Sequence, residues 1–294
     1  MFRGAITALV TPFRGGRLHE EAYRAHIDWQ IREGVTAIVP CGTTGESATL
    51  SHEEHERVID IAVDEARGRV PVLAGTGSNS TEEAVRLTRH AKEAGADGAL
   101  LITPYYNKPT QEGLYQHYRR VAEAAKFPLV LYNVPGRTGV NLLPDTVARL
   151  ADLPEVVGLK EATGDLRQVS DVLEKCGDRI SVLSGDDFTV LPLLALGGRG
   201  VISVLSNVVP ADVSEMIRAY EAGDLPKARA LHFKTQPLTR ALFLETNPIP
   251  VKTALALLGR MDPELRLPLV PIQEANAERL KGVLRAYGLL GKGQ

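Results

Sequence analysis

Short apolar segments rich in β-branched residues recur along the chain and alternate with longer amphipathic segments. Eight of them have the length of a strand: AITALVTP, AIVPCG, VPVLAGTG, GALLITP, PLVLYNVP, VVGLKEA, ISVLSGDD and GVISVLS. Their spacing corresponds to about one βαβ unit each. Because their apolar residues are nearly continuous rather than alternating, we predict a parallel sheet that is covered on both faces.

The segments between the predicted strands have helical periodicity. Apolar side chains recur at positions 84, 87, 91 and 94, and again at 114, 118, 121 and 125, which places each set on one helix face. Ser51 and Glu54 form a capping-box motif, so a helix is predicted to begin after Ser51. Eight such units predict an α/β fold, a TIM (β/α)8 barrel, with an open doubly wound sheet as the alternative.

The chain that follows the eighth predicted strand is too long for a single final helix. We therefore predict that residues 1–224 form the barrel and that residues 225–294 form an extra C-terminal helical subdomain. The segment NPIPVK, which begins at Asn247, is a proline-rich junction within this region.

Composition and charge narrow the class of partner. The 294 residues are 44% hydrophobic and 24% charged, with a formal net charge of −2, and no basic tract or membrane-length apolar run occurs. We expect no nucleic acid and no membrane as partners, and small-molecule chemistry instead. Cys41 and Cys176 are far apart, which favours two reduced thiols, and the N-terminal segment lacks a signal-peptide pattern, which favours the cytoplasm.

Lys160 stands at the C-terminal end of the sixth predicted strand, where the active sites of such barrels lie. Two interpretations are open. It could pair with a carboxylate at the barrel rim, such as that of Glu161. Alternatively, its apolar surroundings disfavour the ammonium form, and the neutral amine could attack a carbonyl to form a Schiff base. The resulting iminium would act as an electron sink, so no external cofactor and no metal would be needed.

Hydroxyl groups follow the neighbouring strands and could carry protons for such a nucleophile. Tyr132 ends the fifth strand, Tyr106 follows the fourth, and Thr43 and Thr44 follow the second, so all could converge above the barrel axis. Each could instead be a packing or turn residue. Arg137, in a glycine-rich loop, could bind a substrate carboxylate through two hydrogen bonds, although a solvated surface arginine is the ordinary alternative.

Other motifs give weaker signals. Gly75 and Gly77 begin a dinucleotide-like pattern, but Ser80 occupies the third glycine position. The segment HEEHE at His52 has its histidines three residues apart, whereas the metalloprotease motif has them four apart, so no metal site is predicted there.

The segments GTTGESATL, TPYYNKPTQEGLYQH, YNVPGRTG, GLKEATGD and FLETNPIPVK occur in this order. With these motifs the chain resembles the dihydrodipicolinate synthase family, among the pyruvate-dependent class I aldolases that include N-acetylneuraminate lyase. The resemblance runs from GAITALVTPF to LRLPLVPI. It implies a TIM barrel with a C-terminal helical domain, a homotetramer built as a dimer of dimers, and condensation of pyruvate with L-aspartate 4-semialdehyde in lysine and diaminopimelate biosynthesis.

The resemblance also implies catalytic roles, carried over position by position. Lys160 would form the Schiff base with pyruvate, and Tyr132 would donate and accept the proton. Thr43 would link Tyr132 to Tyr106, which in this family reaches the site of a neighbouring subunit.

Substrate carboxylates have implied partners as well. Thr44 and the backbone at Ile202 would hold the pyruvate carboxylate, and Arg137 would meet that of the semialdehyde. The sialic-acid lyases lack the arginine of GRTG, so Arg137 favours the synthase. The alternatives are a pyruvate-releasing aldolase of the N-acetylneuraminate lyase type and, from another class, a non-catalytic ligand-binding barrel.

Family members that L-lysine inhibits bind the effector at a dimer interface. We therefore expect feedback inhibition of this protein by L-lysine. The matching positions are Ser47, Ala48, His52, His55, Asn79, Glu83 and Tyr105.

Overall fold

The computed structural model describes residues 2–291, and all eight predicted strands form in it. They pair in parallel in the order β2-β1-β8-β7-β6-β5-β4-β3. A parallel bridge between Ile38 and Val72 joins the two end strands, so the sheet closes into a barrel and the open-sheet alternative is wrong. The strands are β1 Gly4–Ala8, β2 Ala37–Val39, β3 Leu73–Gly75, β4 Gly98–Ile102, β5 Leu129–Asn133, β6 Val156–Glu161, β7 Ser181–Ser184 and β8 Gly200–Ser203.

A helix follows each strand and covers the outside of the barrel. The capping box predicted at Ser51 is present, because Ser51 Oγ accepts from the Glu54 amide and the Glu54 carboxylate accepts from the Ser51 amide. The helices are α1 Glu20–Arg32, α2 His52–Ala66, α3 Thr81–Glu93, α4 Gln111–Ala125, α5 Pro144–Leu150, α6 Leu166–Cys176, α7 Val190–Ala195 and α8 Pro210–Glu221.

Apolar side chains fill the inside of the barrel. Ile6, Val39, Leu73, Val130 and Leu183 are almost completely buried and belong to one cluster there. The interior is therefore a packed core, and any site for a small molecule must lie at an end of the barrel.

Three further helices follow the barrel: α9 Leu225–Leu242, α10 Ile249–Leu257 and α11 Glu274–Tyr287. Leu238 and Val251 of these helices share a buried cluster with Ala5 and Val201 of the barrel strands. The C-terminal helices thus pack directly on the barrel. The predicted boundary between residues 224 and 225 falls in the turn between α8 and α9 and stays a prediction.

A short antiparallel hairpin, Phe13–Arg14 with Arg17–Leu18, was not predicted from the apolar pattern. Its strands have two residues each, too few to show alternation. Gly15 and Gly16 both have positive φ, as a tight two-residue hairpin turn requires. The Gly-Gly pair is therefore the signal in the sequence that could have revealed it.

Both cysteines are buried free thiols, as predicted. In the described part of the chain, no helix combines the length and the apolar character that a membrane crossing requires.

Candidate active site

Lys160 and Tyr132 lie side by side at the C-terminal ends of β6 and β5. They are register partners in the parallel sheet, and Lys160 Nζ lies 4.1 Å from the centroid of the Tyr132 ring. Each of the two residues is 6% exposed. The sheet itself therefore holds an amine against an aromatic ring near the end of the barrel.

Lys160 has no ion-pair partner among residues 2–291, so pairing with Glu161 is the wrong interpretation. The Glu161 carboxylate instead accepts hydrogen bonds from the Thr163 amide at 2.8 Å, from Asn133 Nδ2 at 3.1 Å and from Gln168 Nε2 at 3.3 Å. All three donors are neutral, and burial raises the pKa of Glu161. The carboxylate is thus used to fix the end of β6 and not to neutralise the neighbouring amine.

Gly185 provides the space that the Lys160 side chain occupies. A Cβ at position 185 would lie 3.0 Å from Lys160 Cε and 2.7 Å from the Cβ of Ala162. Both distances are shorter than ordinary van der Waals contact. The glycine of the SGDD segment therefore leaves room for the side chains of Ala162 and Lys160.

The turn after β2 presents its threonines at the same end of the barrel. Thr43 is partly exposed, whereas Thr44 is buried and its Oγ1 accepts a hydrogen bond from Asn247 Nδ2 at 3.0 Å. Gly75 permits this turn to pack closely, because a Cβ there would lie 2.2 Å from the carbonyl oxygen of Cys41. Close packing against the Cys41 carbonyl therefore explains why a glycine occupies position 75.

Ile202 lies on β8 and is 1% exposed in the interior cluster that also contains Tyr132. Asp187 fixes the turn that follows, because it accepts from Ser203 Oγ at 2.6 Å and from the amides of Val204 and Leu205 at 3.0 and 2.9 Å. Burial raises the pKa of Asp187. This buried carboxylate of the SGDD segment therefore has a structural role.

Arg137 belongs to a one-turn helix, Pro135–Thr138, that follows β5. Its side chain is exposed at the mouth, and Nη2 donates to the carbonyl oxygen of Asn247 at 3.2 Å. One segment of the C-terminal region thus contacts both Arg137 and Thr44.

A cavity of about 580 Å³ opens at this end of the barrel. Its volume is sufficient for a small metabolite. Lys160 is not in the wall, but the Tyr132 ring that it contacts is. Three of the predicted catalytic and substrate-binding residues line the cavity: Thr43, Tyr132 and Arg137. From the predicted effector residues, the wall contains Ser47, Ala48, His52, His55, Glu83 and Tyr105.

Tyr106 does not join the other candidate residues within this chain. Its side chain is 89% exposed and it does not contribute to the cavity wall. Its φ of 74° lies in the left-handed region, which is uncommon for a bulky residue. The loop after β4 therefore directs this tyrosine away from its own barrel.

Two pairs of the predicted effector residues are in direct contact. His52 Nε2 lies 2.8 Å from Glu83 Oε1, and Ser78 donates to the other Glu83 oxygen. These two hydrogen bonds lower the pKa of Glu83. Burial lowers the pKa of His55 to about 4, so its imidazole is neutral near neutral pH. Asn79 is outside the cavity wall, and its Nδ2 donates to the Tyr105 carbonyl at 3.2 Å.

Three residues close to the site were not identified from the sequence. Asn247 and Glu46 both contribute to the cavity wall, and Lys252 is completely buried against Glu46. The motifs GTTGES and NPIPVK contain all three, so the motifs marked the segments although their side-chain roles were not recognised.

No group of three or more histidine, cysteine or acidic side chains that could hold a metal ion occurs in residues 2–291. The residues that surround the cavity are hydroxyl, imidazole, guanidinium and apolar groups with few carboxylates.

The chain is similar over nearly its whole length to proteins of one family. A model of the dihydrodipicolinate synthetase family matches residues 1–287. The 4-hydroxy-tetrahydrodipicolinate synthase of Nitratidesulfovibrio vulgaris strain DP4 is 66% identical over 290 residues, which are 98% of this chain and 99% of that protein.

Solved structures show the same likeness. The chloride-inhibited dihydrodipicolinate synthase of Acinetobacter baumannii, complexed with pyruvate, superposes with a TM-score of 0.97 at 47% identity and covers 99% of this chain and 100% of its own. The enzyme of Cyanidioschyzon merolae with lysine bound has a TM-score of 0.95 at 41% identity, with coverage of 98% and 99%. The closed barrel, the strand-end lysine and these full-length matches establish that the chain belongs to the dihydrodipicolinate synthetase family.

Proposed function

We propose that this protein condenses pyruvate with L-aspartate 4-semialdehyde to give 4-hydroxy-tetrahydrodipicolinate. This reaction would be the first committed step of the diaminopimelate route to lysine, in the cytoplasm. One observation carries the proposal: Lys160 is a buried amine without an ion-pair partner in the described part of the chain, packed against Tyr132 at the cavity. The substrates are those implied by the family to which the chain belongs.

In this proposal Lys160 Nζ attacks the C2 carbonyl carbon of pyruvate and forms a carbinolamine. Loss of water gives the iminium, and loss of a proton from the pyruvate methyl group then gives the enamine. The enamine carbon attacks the aldehyde and forms the new carbon–carbon bond, which restores the iminium, and the aldehyde oxygen takes up a proton to become the hydroxyl group. The amino group of the semialdehyde then attacks the iminium carbon and displaces Lys160, which closes the ring and frees the amine. Because the iminium itself accepts the electron pair, the reaction needs no external cofactor.

Tyr132 is the proposed proton donor and acceptor, since its ring contacts the Lys160 amine and the residue lines the cavity. Thr43, in the same wall, would connect it to a tyrosine from outside. Tyr106 is the proposed source, from a neighbouring subunit of a homotetramer arranged as a dimer of dimers. Its 89% exposure supports a role outside its own barrel.

The substrate carboxylates would bind on either side of this pair. We assign the pyruvate carboxylate to Thr44 and the backbone of Ile202, and the semialdehyde carboxylate to Arg137. The exposed position of Arg137 at the mouth supports a contact with the second substrate, which enters after pyruvate is bound.

Paired rate assays test this function. With pyruvate as the common substrate, turnover is expected with aspartate semialdehyde and not with N-acetylmannosamine. Faster reaction with N-acetylmannosamine would favour a sialic-acid lyase instead. No turnover with either aldehyde would favour a ligand-binding barrel without catalysis.

Feedback inhibition by L-lysine is the regulatory part of the proposal. The carboxylate of Glu83, with its lowered pKa, would meet the α-ammonium group, and His52 and His55 would line the rest of the site. The lysine-bound relative from Cyanidioschyzon merolae supports this choice of ligand.

The matched test compares Glu83→Gln with Glu82→Gln, its neighbour on α3, whose side chain is 76% exposed. Millimolar L-lysine is expected to slow the wild type and Glu82→Gln, and to affect Glu83→Gln much less. An unchanged wild-type rate at millimolar L-lysine would rule out this regulation.

A further inference from the structure

A buried salt bridge connects the turn after β2 to the C-terminal helices. Lys252 Nζ lies 2.6 Å from Glu46 Oε1, and the two side chains are 0% and 1% exposed. Burial lowers the pKa of Lys252, and Glu46 opposes that effect. Because burying two charges is costly, such a pair is retained only where further contacts hold both groups.

Both charged groups are also bonded to the backbone around the turn. Lys252 Nζ donates to the Thr11 carbonyl at 2.9 Å, and Thr11 Oγ1 donates to the Gly45 carbonyl at 2.7 Å. The second oxygen of Glu46 accepts from the Arg266 amide at 3.1 Å. The pair therefore holds the turn at two places: at the Glu46 side chain and, through Thr11, at the Gly45 carbonyl.

The same C-terminal segment reaches the groups proposed to bind the substrates. Asn247, five positions before Lys252, donates to Thr44 Oγ1, and its carbonyl accepts from Arg137. Residues 247–252 thus contact the turn at two of its side chains. A movement of this segment would displace Thr44 directly.

The backbone of the turn is not in a relaxed conformation. Glu46 has a φ of 53°, in the left-handed region that residues other than glycine adopt infrequently. Such a conformation persists where surrounding contacts determine it. At position 46 those contacts include the salt bridge to Lys252 and the Arg266 amide, beside the backbone hydrogen bonds of Glu46 to Thr43 and Thr49.

We propose that Glu46 and Lys252 are positioning residues, which hold the Thr43–Thr44 turn in the geometry that binds pyruvate. The inference deepens the proposed function and rests on it. Both carboxylate oxygens of Glu46 are bonded to protein groups, and Lys252 is completely buried. Neither residue is therefore a catalytic residue, and both act through the turn.

A purely structural role makes a different prediction. Removal of one partner leaves an unpaired buried charge and destabilises the fold, whereas replacement of both removes the charge and the penalty. If the pair served stability alone, the variant Glu46→Gln/Lys252→Met would recover both stability and activity. If the pair positions the turn, the double variant would recover stability but would keep a raised KM for pyruvate.

The experiment measures the urea midpoint, kcat and the pyruvate KM of both single variants and of the double variant. We expect the double variant to unfold near the wild-type midpoint while its pyruvate KM stays about tenfold or more above the wild-type value, since small displacements of binding groups have effects of this size. Thr239→Val is the matched control, because it removes a buried hydroxyl that donates to the Thr235 carbonyl within α9. Its pyruvate KM is expected to be unchanged.

Glu46→Asp provides a test that keeps both charges. The shorter side chain can reach Lys252 only if the turn moves, and aspartate tolerates the left-handed conformation. We expect a folded protein with a raised pyruvate KM. A double variant and a Glu46→Asp variant that both keep the wild-type KM and kcat would overturn the positioning role alone. A wild type without pyruvate-dependent turnover would overturn the proposed function, and the positioning role with it.

Discussion

Lys160 Nζ lies 4.1 Å from the centroid of the Tyr132 ring, and the two residues are register partners on adjacent parallel strands. Their separation is therefore set by the sheet and not by a mobile loop. Functional groups on rigid elements are held more accurately than groups on loops. The proposed nucleophile and proton donor are thus both held by the barrel sheet.

Tyr132→Phe tests the proton-transfer role. The ring, and so the contact with Lys160, is retained, and only the hydroxyl is lost. We expect kcat to fall by about 10²–10⁴ with the fold intact by circular dichroism, which is the usual contribution of an acid–base group.

Tyr118→Phe is the control for this substitution. Tyr118 is also a buried tyrosine, but its hydroxyl donates to the Leu101 carbonyl at 3.3 Å, away from the cavity. Its kcat should stay close to that of the wild type. Full turnover in Tyr132→Phe would show that another group transfers the proton.

Gly185→Ala tests the space reserved for Lys160. The added methyl group would lie 2.7 Å from the Ala162 Cβ and 3.0 Å from Lys160 Cε, so β6 or the Lys160 side chain is expected to shift. We expect kcat/KM for pyruvate to fall by about tenfold or more. Gly282→Ala, in α11 with no atom within 4 Å of the added Cβ, is the matched control and should keep full activity. Equal activity of the two variants would contradict the tight fit.

Arg137→Ala tests recognition of the second substrate. Loss of a charged hydrogen-bond partner costs about 1.5–3 kcal/mol, which corresponds to a rise of roughly 10- to 100-fold in the KM for aspartate semialdehyde. The pyruvate KM should change much less. Arg167→Ala, at a side chain that is 93% exposed, should change neither constant. A rise confined to the pyruvate KM of Arg137→Ala would reverse the assignment of the two carboxylates.

The buried His26 predicts how stability depends on pH. Burial lowers its pKa from 6.5 to about 4. Between these values the unfolded state binds a proton that the native state does not, so the free energy of unfolding falls as the pH falls. The slope is about 1.4 kcal/mol per pH unit for one such group.

His26→Gln removes this proton and retains an amide that can donate to Asn207 Oδ1, the present partner at 3.0 Å. Urea unfolding at several values between pH 6.5 and pH 4 should therefore show a smaller slope for the variant. Identical slopes for variant and wild type would mean that His26 is protonated in the native state.

The strand positions were predictable, because each strand is a nearly continuous apolar run bounded by polar residues. The rule that parallel strands present their C-terminal ends together also placed Lys160 with Tyr132 and the Thr43–Thr44 turn. Closure of the barrel was predicted from the number of units, but the pattern left the open sheet as an alternative, and the pairing of Ile38 with Val72 decides between the two. Hydrophobic periodicity contains no information about which strands pair.

The positions of two side chains could not be predicted from the sequence. Lys252 looks like an ordinary helix lysine, and its burial depends on Glu46, which is 206 positions away. Tyr106 follows a strand as the other candidates do, but it lies in a loop with a positive φ and is exposed. Both outcomes depend on tertiary contacts and loop conformation, which no local pattern specifies.

The most direct test of the account is reduction by borohydride in the presence of pyruvate, followed by peptide mass analysis. We predict a stable reduced pyruvate adduct on Lys160, and none in Lys160→Ala, whose turnover should be nearly abolished. Wild-type protein that turns over without any adduct on Lys160, or an adduct on a different lysine, would contradict it.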